Sequence, residues 1–167
     1  MAADLDPPVK VLVEVPKGSR NKYEYNAEED ALELDRRLFA AVNYPGDYGF
    51  IPGTEAEDGD EVDALICLTE HTFPGCRVAV NPIALLKMSD GERANNNVIC
   101  VPLGDPAWNH VEGLDDLPSE LADEISHFFA NYSDLEGQRW ELEGWGTREE
   151  ALQEIEAARE RYREHHG

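Results

Sequence analysis

Residues 57–68 read Glu57-Asp58-Gly59-Asp60-Glu61-Val62-Asp63-Ala64-Leu65-Ile66-Cys67-Leu68. A knot of carboxylates around one glycine runs directly into a short apolar stretch, residues 64–68, whose length and flanks predict a buried strand. Asp58, Asp60 and Asp63 stand at spacings of two and three, and the glycine lets the backbone turn so that they can converge. Hard divalent cations favour such oxygen ligands. The same letters also suit a solvated acidic turn, so the segment alone leaves both readings open. Two other cation or phosphate motifs are excluded. An EF-hand starting at Asp58 needs glycine sixth and glutamate twelfth, where this chain has Asp63 and Thr69. A haloacid-dehalogenase nucleophile should follow a buried strand, and here Gly53-Thr54-Glu55-Ala56-Glu57 comes first.

Outward from this stretch the chain reads as strands and turns. Val9, Val11, Val13 and Val15 alternate with Lys10, Leu12 and Glu14, the period of a half-buried strand. In Lys22-Tyr23-Glu24-Tyr25 the same period puts Lys22 and Glu24 on one face. Further strands are predicted at 77–80, 83–88 and 98–101, separated by turns such as Pro74-Gly75 and Asp90-Gly91. The last third changes character. Over 117–135, Leu121, Ile125, Phe128, Phe129 and Tyr132 recur at helical spacing, with Pro118 in the first turn. A second helix is predicted from Thr147, which forms a capping box with Glu150 ahead of the stripe Ala151, Ile155, Ala158 and Tyr162. Between the helices, 139–144 reads as one more strand. Strands followed by terminal helices give an α+β class, mainly β: a small β-barrel flanked by helices, in a single domain over residues 1–167.

Composition narrows the function classes. The chain has 167 residues with 36 Asp+Glu against 14 Lys+Arg, a formal charge of −22. A surface this acidic repels nucleic acid and anionic lipid, which argues against both partners and against an OB-like nucleic-acid binder. It suits a solvated surface in high salt, where screening suppresses self-repulsion. No apolar run reaches the ~20 residues of a membrane span. The N-terminal residues lack the basic start and apolar centre of a secretory signal, so a cytoplasmic location is the default expectation. Cys67, Cys76 and Cys100 form no CxxC, and Cys67 and Cys100 fall in apolar runs as expected of buried thiols.

A second cluster, Tyr44-Pro45-Gly46-Asp47-Tyr48-Gly49-Phe50, reads first as aromatics packed over a turn, although phenol hydroxyls can also donate to phosphate. Its company changes the reading. Asp58-Gly59-Asp60-Glu61-Val62-Asp63 resembles the DGDxxD signature of the family I inorganic pyrophosphatases. Glu14-Val15-Pro16, Lys22-Tyr23-Glu24, Asp35-Arg36, Tyr44-Pro45 with Tyr48-Gly49-Phe50-Ile51, Leu86-Lys87-Met88 with Asp90, His127-Phe128-Phe129 with Tyr132, and Glu143-Gly144-Trp145 follow in that family's order. The resemblance runs over nearly the whole chain.

It implies an OB-like five-stranded β-barrel flanked by two C-terminal α-helices, and Mg²⁺-dependent hydrolysis of pyrophosphate to two phosphates with several ions per site. It implies a homo-oligomer, commonly a hexamer in prokaryotes, with His127 and Asp134 at helix positions between subunits. By the same resemblance Asp58, Asp63 and Asp90 match metal ligands and Glu14 a ligand to a further metal. Asp60 matches the carboxylate that takes the proton from the attacking water. Lys22, Arg36, Tyr48 and Tyr132 match groups that hold the phosphates. Three positions depart from the pattern: a metal-binding aspartate falls on Asn95, and phosphate-binding lysines fall on Asn97 and Ser133. Each lost charge-assisted contact is worth roughly 1.5–3 kcal/mol, and Arg93 or Arg139 stand near enough in sequence to substitute. Two readings are open at this point: a working pyrophosphatase with an altered site, or a noncatalytic paralogue that binds metal or phosphate or partners an active subunit.

Overall fold

The computed structural model describes residues 5–39, 41–135 and 140–167, the side chains of 133–135 excepted. The strands are β1 (Lys10–Val15), β2 (Asn21–Asn26), β3 (Ala31–Arg37), β4 (Asp47–Ile51), β5 (Val62–Ile66), β6 (Arg77–Ser89), β7 (Asn97–Pro102) and β8 (Glu141–Gly146). A 3₁₀ turn at Leu114–Asp116 precedes α1 (Ser119–Leu135), and α2 (Arg148–His166) follows β8.

The large sheet runs β1-β4-β5-β7-β6-β8, and β1 also pairs with β6. That extra pairing closes five strands into a ring, with β8 added outside it on β6; β2 and β3 form a separate hairpin. The expected barrel with terminal helices is therefore the observed fold. Every pairing in the ring is antiparallel except β5 with β7, which sets Asp63 opposite Asn97 and Leu65 opposite Ile99.

Local sequence explains most elements. Val9, Val11, Val13 and Val15 are fully buried, as their alternation requires. Thr147 caps α2 by accepting a hydrogen bond from the Glu150 amide at 3.2 Å, and Ala151, Ile155 and Ala158 form its buried stripe. Burying a side chain the size of Ile155 stabilises by about 1.5–3 kcal/mol, and truncation to alanine would cost about 2–5 kcal/mol. Tyr162 departs from the predicted stripe: it is 38% exposed and stacks on His166 at 4.3 Å between ring centroids.

Other expectations are corrected. The strands predicted at 77–80 and 83–88 are one strand, β6, which continues through Pro82. A shift of register between Pro82 and Ala84 lets β7 pair around the missing N–H. The Tyr44–Phe50 segment, read as a turn, contributes β4. Gly49 is what allows it, because a Cβ there would stand 1.9 Å from the Leu12 carbonyl oxygen across the β1–β4 pair. The strand predicted at 139–144 lies at 141–146. Arg139, and the side chains of Ser133 and Asp134, lie outside the described residues.

Two buried clusters lie on opposite faces of the central strands. One gathers Leu65, Cys67, Ile99 and Val101 with Ile125, Phe128 and Phe129 of α1. The other gathers Val62, Ala64, Ile66, Val98 and Cys100 with Ala151, Ile155 and Ala158 of α2. Strand alternation assigns Asp63 and Asn97 to the rows of Leu65 and Ile99, so the α1-side face turns polar at that end.

Candidate active site

A cleft of about 430 Å³ opens at that polar end. β1 contributes Glu14, β2 Lys22 and Glu24, β4 Tyr48, and the turn into β5 Asp58, Asp60 and Glu61. Asp63, Asn95, Asn97 and Tyr132 complete the wall. Among its described lining residues six carboxylates face one ammonium, that of Lys22.

The acidic turn is closed by short-range bonds. The Ala56 amide donates to the Asp60 carbonyl at 2.7 Å and the Gly59 amide to the Ala56 carbonyl at 3.0 Å. Gly59 has φ of +92°, a backbone state that favours glycine. The Asp60 amide donates to Asp58 Oδ1 at 3.1 Å. The segment before the turn is tied to the end of α2: Arg161 Nη1 donates to the Glu55 carbonyl at 3.1 Å, and His165 and His166 meet the Glu55 carboxylate.

Burial and crowding of like charge govern the carboxyls. Asp63 is pushed up to about 8, first by burial and then by Glu14, with the Tyr48 hydroxyl bond opposing. Glu14 is pushed up to about 7 by burial, opposed by the Tyr25 amide, which donates to its Oε2 at 2.9 Å. Burial, then Asp58 and Glu24, raise Asp60. Burial also raises the Tyr48 and Tyr132 hydroxyls, so both stay protonated donors. Tyr132 sits in an aromatic cluster with Tyr44, Tyr48 and Phe128, with its ring 5.5 Å from that of Phe128. Lys22 lies 3.3 Å from Glu24 and 3.5 Å from Asp35, with its ammonium over the Tyr132 ring.

Glu14, Lys22, Tyr48, Asp58, Asp60, Asp63 and Tyr132 of the predicted set thus share one cleft. Arg36 and Asp90 are not among its lining residues. Arg36 pairs with Asp35 at 3.6 Å beside the Lys22 contact. Asp90 is exposed at the end of β6, where its Oδ1 accepts from the Glu92 and Arg93 amides at 2.8 Å each. His127 is exposed on α1. Among the described residues no three His, Cys, Asp or Glu side chains converge closely enough to hold an ion unaided. The donor set nonetheless fits Mg²⁺, which keeps several of its waters and takes only one or two carboxylates. Two carboxyls held near neutrality by burial among other acids are also the groups that gain most from an added cation.

A family model described as inorganic pyrophosphatase matches residues 11–163. The chain belongs to the inorganic pyrophosphatase family. It is 47% identical over 154 residues to an inorganic pyrophosphatase of Methanosarcina acetivorans, covering 92% of each chain. It is 45% identical over 157 residues to one of Haloferax volcanii, covering 93% of this chain and 89% of the relative. The crystal structure of the inorganic pyrophosphatase from Thermus thermophilus superposes with a TM-score of 0.90 at 41% identity, covering 98% of this chain and 96% of that one.

In this cleft, sequence reasoning missed Glu24 and Glu61. Glu24 had a signal, since period two put it on the Lys22 face. Glu61 stands inside the acidic motif at a position that spacing alone does not distinguish from surface.

Proposed function

We propose that the protein hydrolyses inorganic pyrophosphate to two phosphates in a Mg²⁺-dependent reaction in this cleft. The observation that carries the reading is a cleft, in a chain of this family, where six carboxyls, three of them half-buried, face a single ammonium among the described lining residues. A polyanionic substrate enters such a cleft only with cations. Asp58, Asp63 and Glu14 would hold the Mg²⁺ ions, and Asp90, outside the lining of the cleft, matches a further ligand by family resemblance alone. Bound Mg²⁺ supplies charge neutralisation and a water of lowered pKa. Asp60, raised yet exposed to the cleft, would accept the proton of the attacking water. Lys22, held by Glu24 and Asp35, presents its ammonium to one phosphate, and Arg36 stands behind it. The Tyr132 hydroxyl donates to a phosphate oxygen without titrating, and the Tyr48 hydroxyl does so once its one proton turns from Asp63 to the substrate. Phosphate release from pyrophosphate should require Mg²⁺ and cease on exhaustive chelation. Full activity after chelation removes the metal reading, and no release under any Mg²⁺ condition leaves the noncatalytic paralogue.

The reading extends to a cytoplasmic, salt-adapted homohexamer. The formal charge of −22 supports salt adaptation, and exposed His127 on α1 leaves that face available to a second copy. Light scattering in molar KCl should give a mass several times 18.7 kDa, and thermal melts should rise with KCl. A concentration-independent monomer, or melts that stay flat with salt, contradicts this extension.

A further inference from the structure

Asn97 is 2% exposed and, among the described residues, its Oδ1 has no hydrogen-bond partner. Buried polar atoms are almost always paired, so an orphan acceptor on a cleft wall calls for a donor that the described residues do not supply. The orientation of the amide is fixed by its other end. Its Nδ2 donates to Met88 Sδ at 3.4 Å, and a thioether can only accept, so the nitrogen belongs on the Met88 side. The oxygen, itself buried, is left on the other side of the amide in a residue that lines the cleft. Parallel pairing sets Asn97 directly beside Asp63, on the face that ends in the cleft. A phosphate oxygen cannot satisfy a carbonyl oxygen, since both accept. The water shell of a divalent cation can, because its O–H bonds point outward and Mg²⁺ retains several waters.

We infer that Asn97 is a binding residue of the cation site, its carbonyl oxygen accepting a hydrogen bond from the hydration shell of a Mg²⁺ ion held by Asp63 and its neighbours. The inference rests on the proposed Mg²⁺ dependence and adds a residue that cannot serve as a phosphate clamp in this orientation. A lysine at this position would present donors where the shell needs an acceptor.

Calorimetric titration of MgCl₂ into the metal-free full chain, without substrate, tests it together with metal-free thermal melts. Asn97→Asp keeps an acceptor and should bind Mg²⁺ at least as tightly as the parent. Asn97→Leu should weaken binding about tenfold, the loss of one hydrogen bond to a charged shell. Its metal-free melting temperature should stay level or rise, because the orphan acceptor is gone; a packing role alone would lower it. Asn97→Lys should weaken binding further by repulsion as well, so Asn97→Thr, a neutral hydroxyl acceptor that should bind Mg²⁺ about as tightly as the parent, carries the contrast if the leucine variant does not fold. Parent-like Mg²⁺ affinity in Asn97→Leu or Asn97→Lys overturns the inference and leaves the functional reading standing. A parent that binds no Mg²⁺ overturns both.

Discussion

Two acidic turns look alike as letters and behave in opposite ways. Residues 58–63 and 90–93 each join aspartate to glycine and lie next to a barrel strand. In the first, Asp60 and Asp63 turn toward the cleft, and burial among other acids raises both. In the second, the Arg93 and Glu92 amides donate to Asp90, and those bonds hold its carboxyl below the ordinary range. A carboxylate that satisfies itself on its own backbone is stable and shaped, whereas one left among like charges is stored demand for a cation or a proton. The difference is burial among like charges on one side and backbone N–H donors on the other.

The largest effect should separate the turns in turnover. Asp60→Asn should lower kcat on the order of 10²–10⁴-fold, the range of general-base loss. Asp90→Asn keeps the side-chain oxygen that closes its turn and should cost about tenfold, or ~1.4 kcal/mol of barrier. Equal losses in steady-state assays would mean that the second turn opens into the cleft once cations bind, and the contrast would fail. A second effect concerns Asn95, which lines the cleft with a neutral amide. Asn95→Asp adds a charge to the cation cage and should tighten Mg²⁺ binding about tenfold, ~1.4 kcal/mol. An unchanged Mg²⁺ midpoint would place Asn95 outside the cage.

The smallest effect is a difference in sign with pH. Asp63 moves from an ordinary 3.8 to about 8 on folding, and Glu14 from 4.5 to about 7. The folded metal-free protein therefore holds protons that the unfolded chain has released. Their contribution is fully present below about pH 4 and is lost as pH rises through about 7–8. Asp90 is lowered on folding, so its contribution is present above its ordinary value and is lost on acidification. Melts of metal-free protein should fall in temperature between about pH 5 and pH 9, and Asp63→Asn should flatten that fall. Asp90→Asn should leave it intact and act only on the acid side. A metal-free melting temperature that climbs over the same range would falsify the assignment of the buried protons.

How much of this could be read from letters depends on the range of the interactions. The cap of α2 at Thr147, its stripe as far as Ala158, and the valine row that leads into β1 are local periodicities, and they appear where expected; Tyr162, at the end of the stripe, does not. β4 was hidden because Gly49 and Pro45 signal a turn, whereas Gly49 serves close approach to Leu12 across the sheet. β3 was hidden because its apolar alternation is only two residues long, Leu32 and Leu34, and most of Ala31–Arg37 is exposed. At the site, the acidic motif and the aromatics were legible, chiefly through the family pattern. The orphan oxygen of Asn97 was not, because it depends on Met88 behind it and Asp63 beside it, each on another strand.

The parallel pairing of β5 with β7 also orders events during synthesis. Asp63 has its neighbour Asn97 only after about 34 more residues are made, roughly 2–7 s at cellular translation rates of ~5–20 residues per second. During that interval Val62–Ile66 can pair with β4 on one side, while its other edge is apolar and unpartnered. Such an edge invites pairing with another chain. The turn at 57–63 places its carboxylates at the head of that edge, where like charge on neighbouring nascent chains repels. Before these acids can gather cations, they guard the strand that carries them.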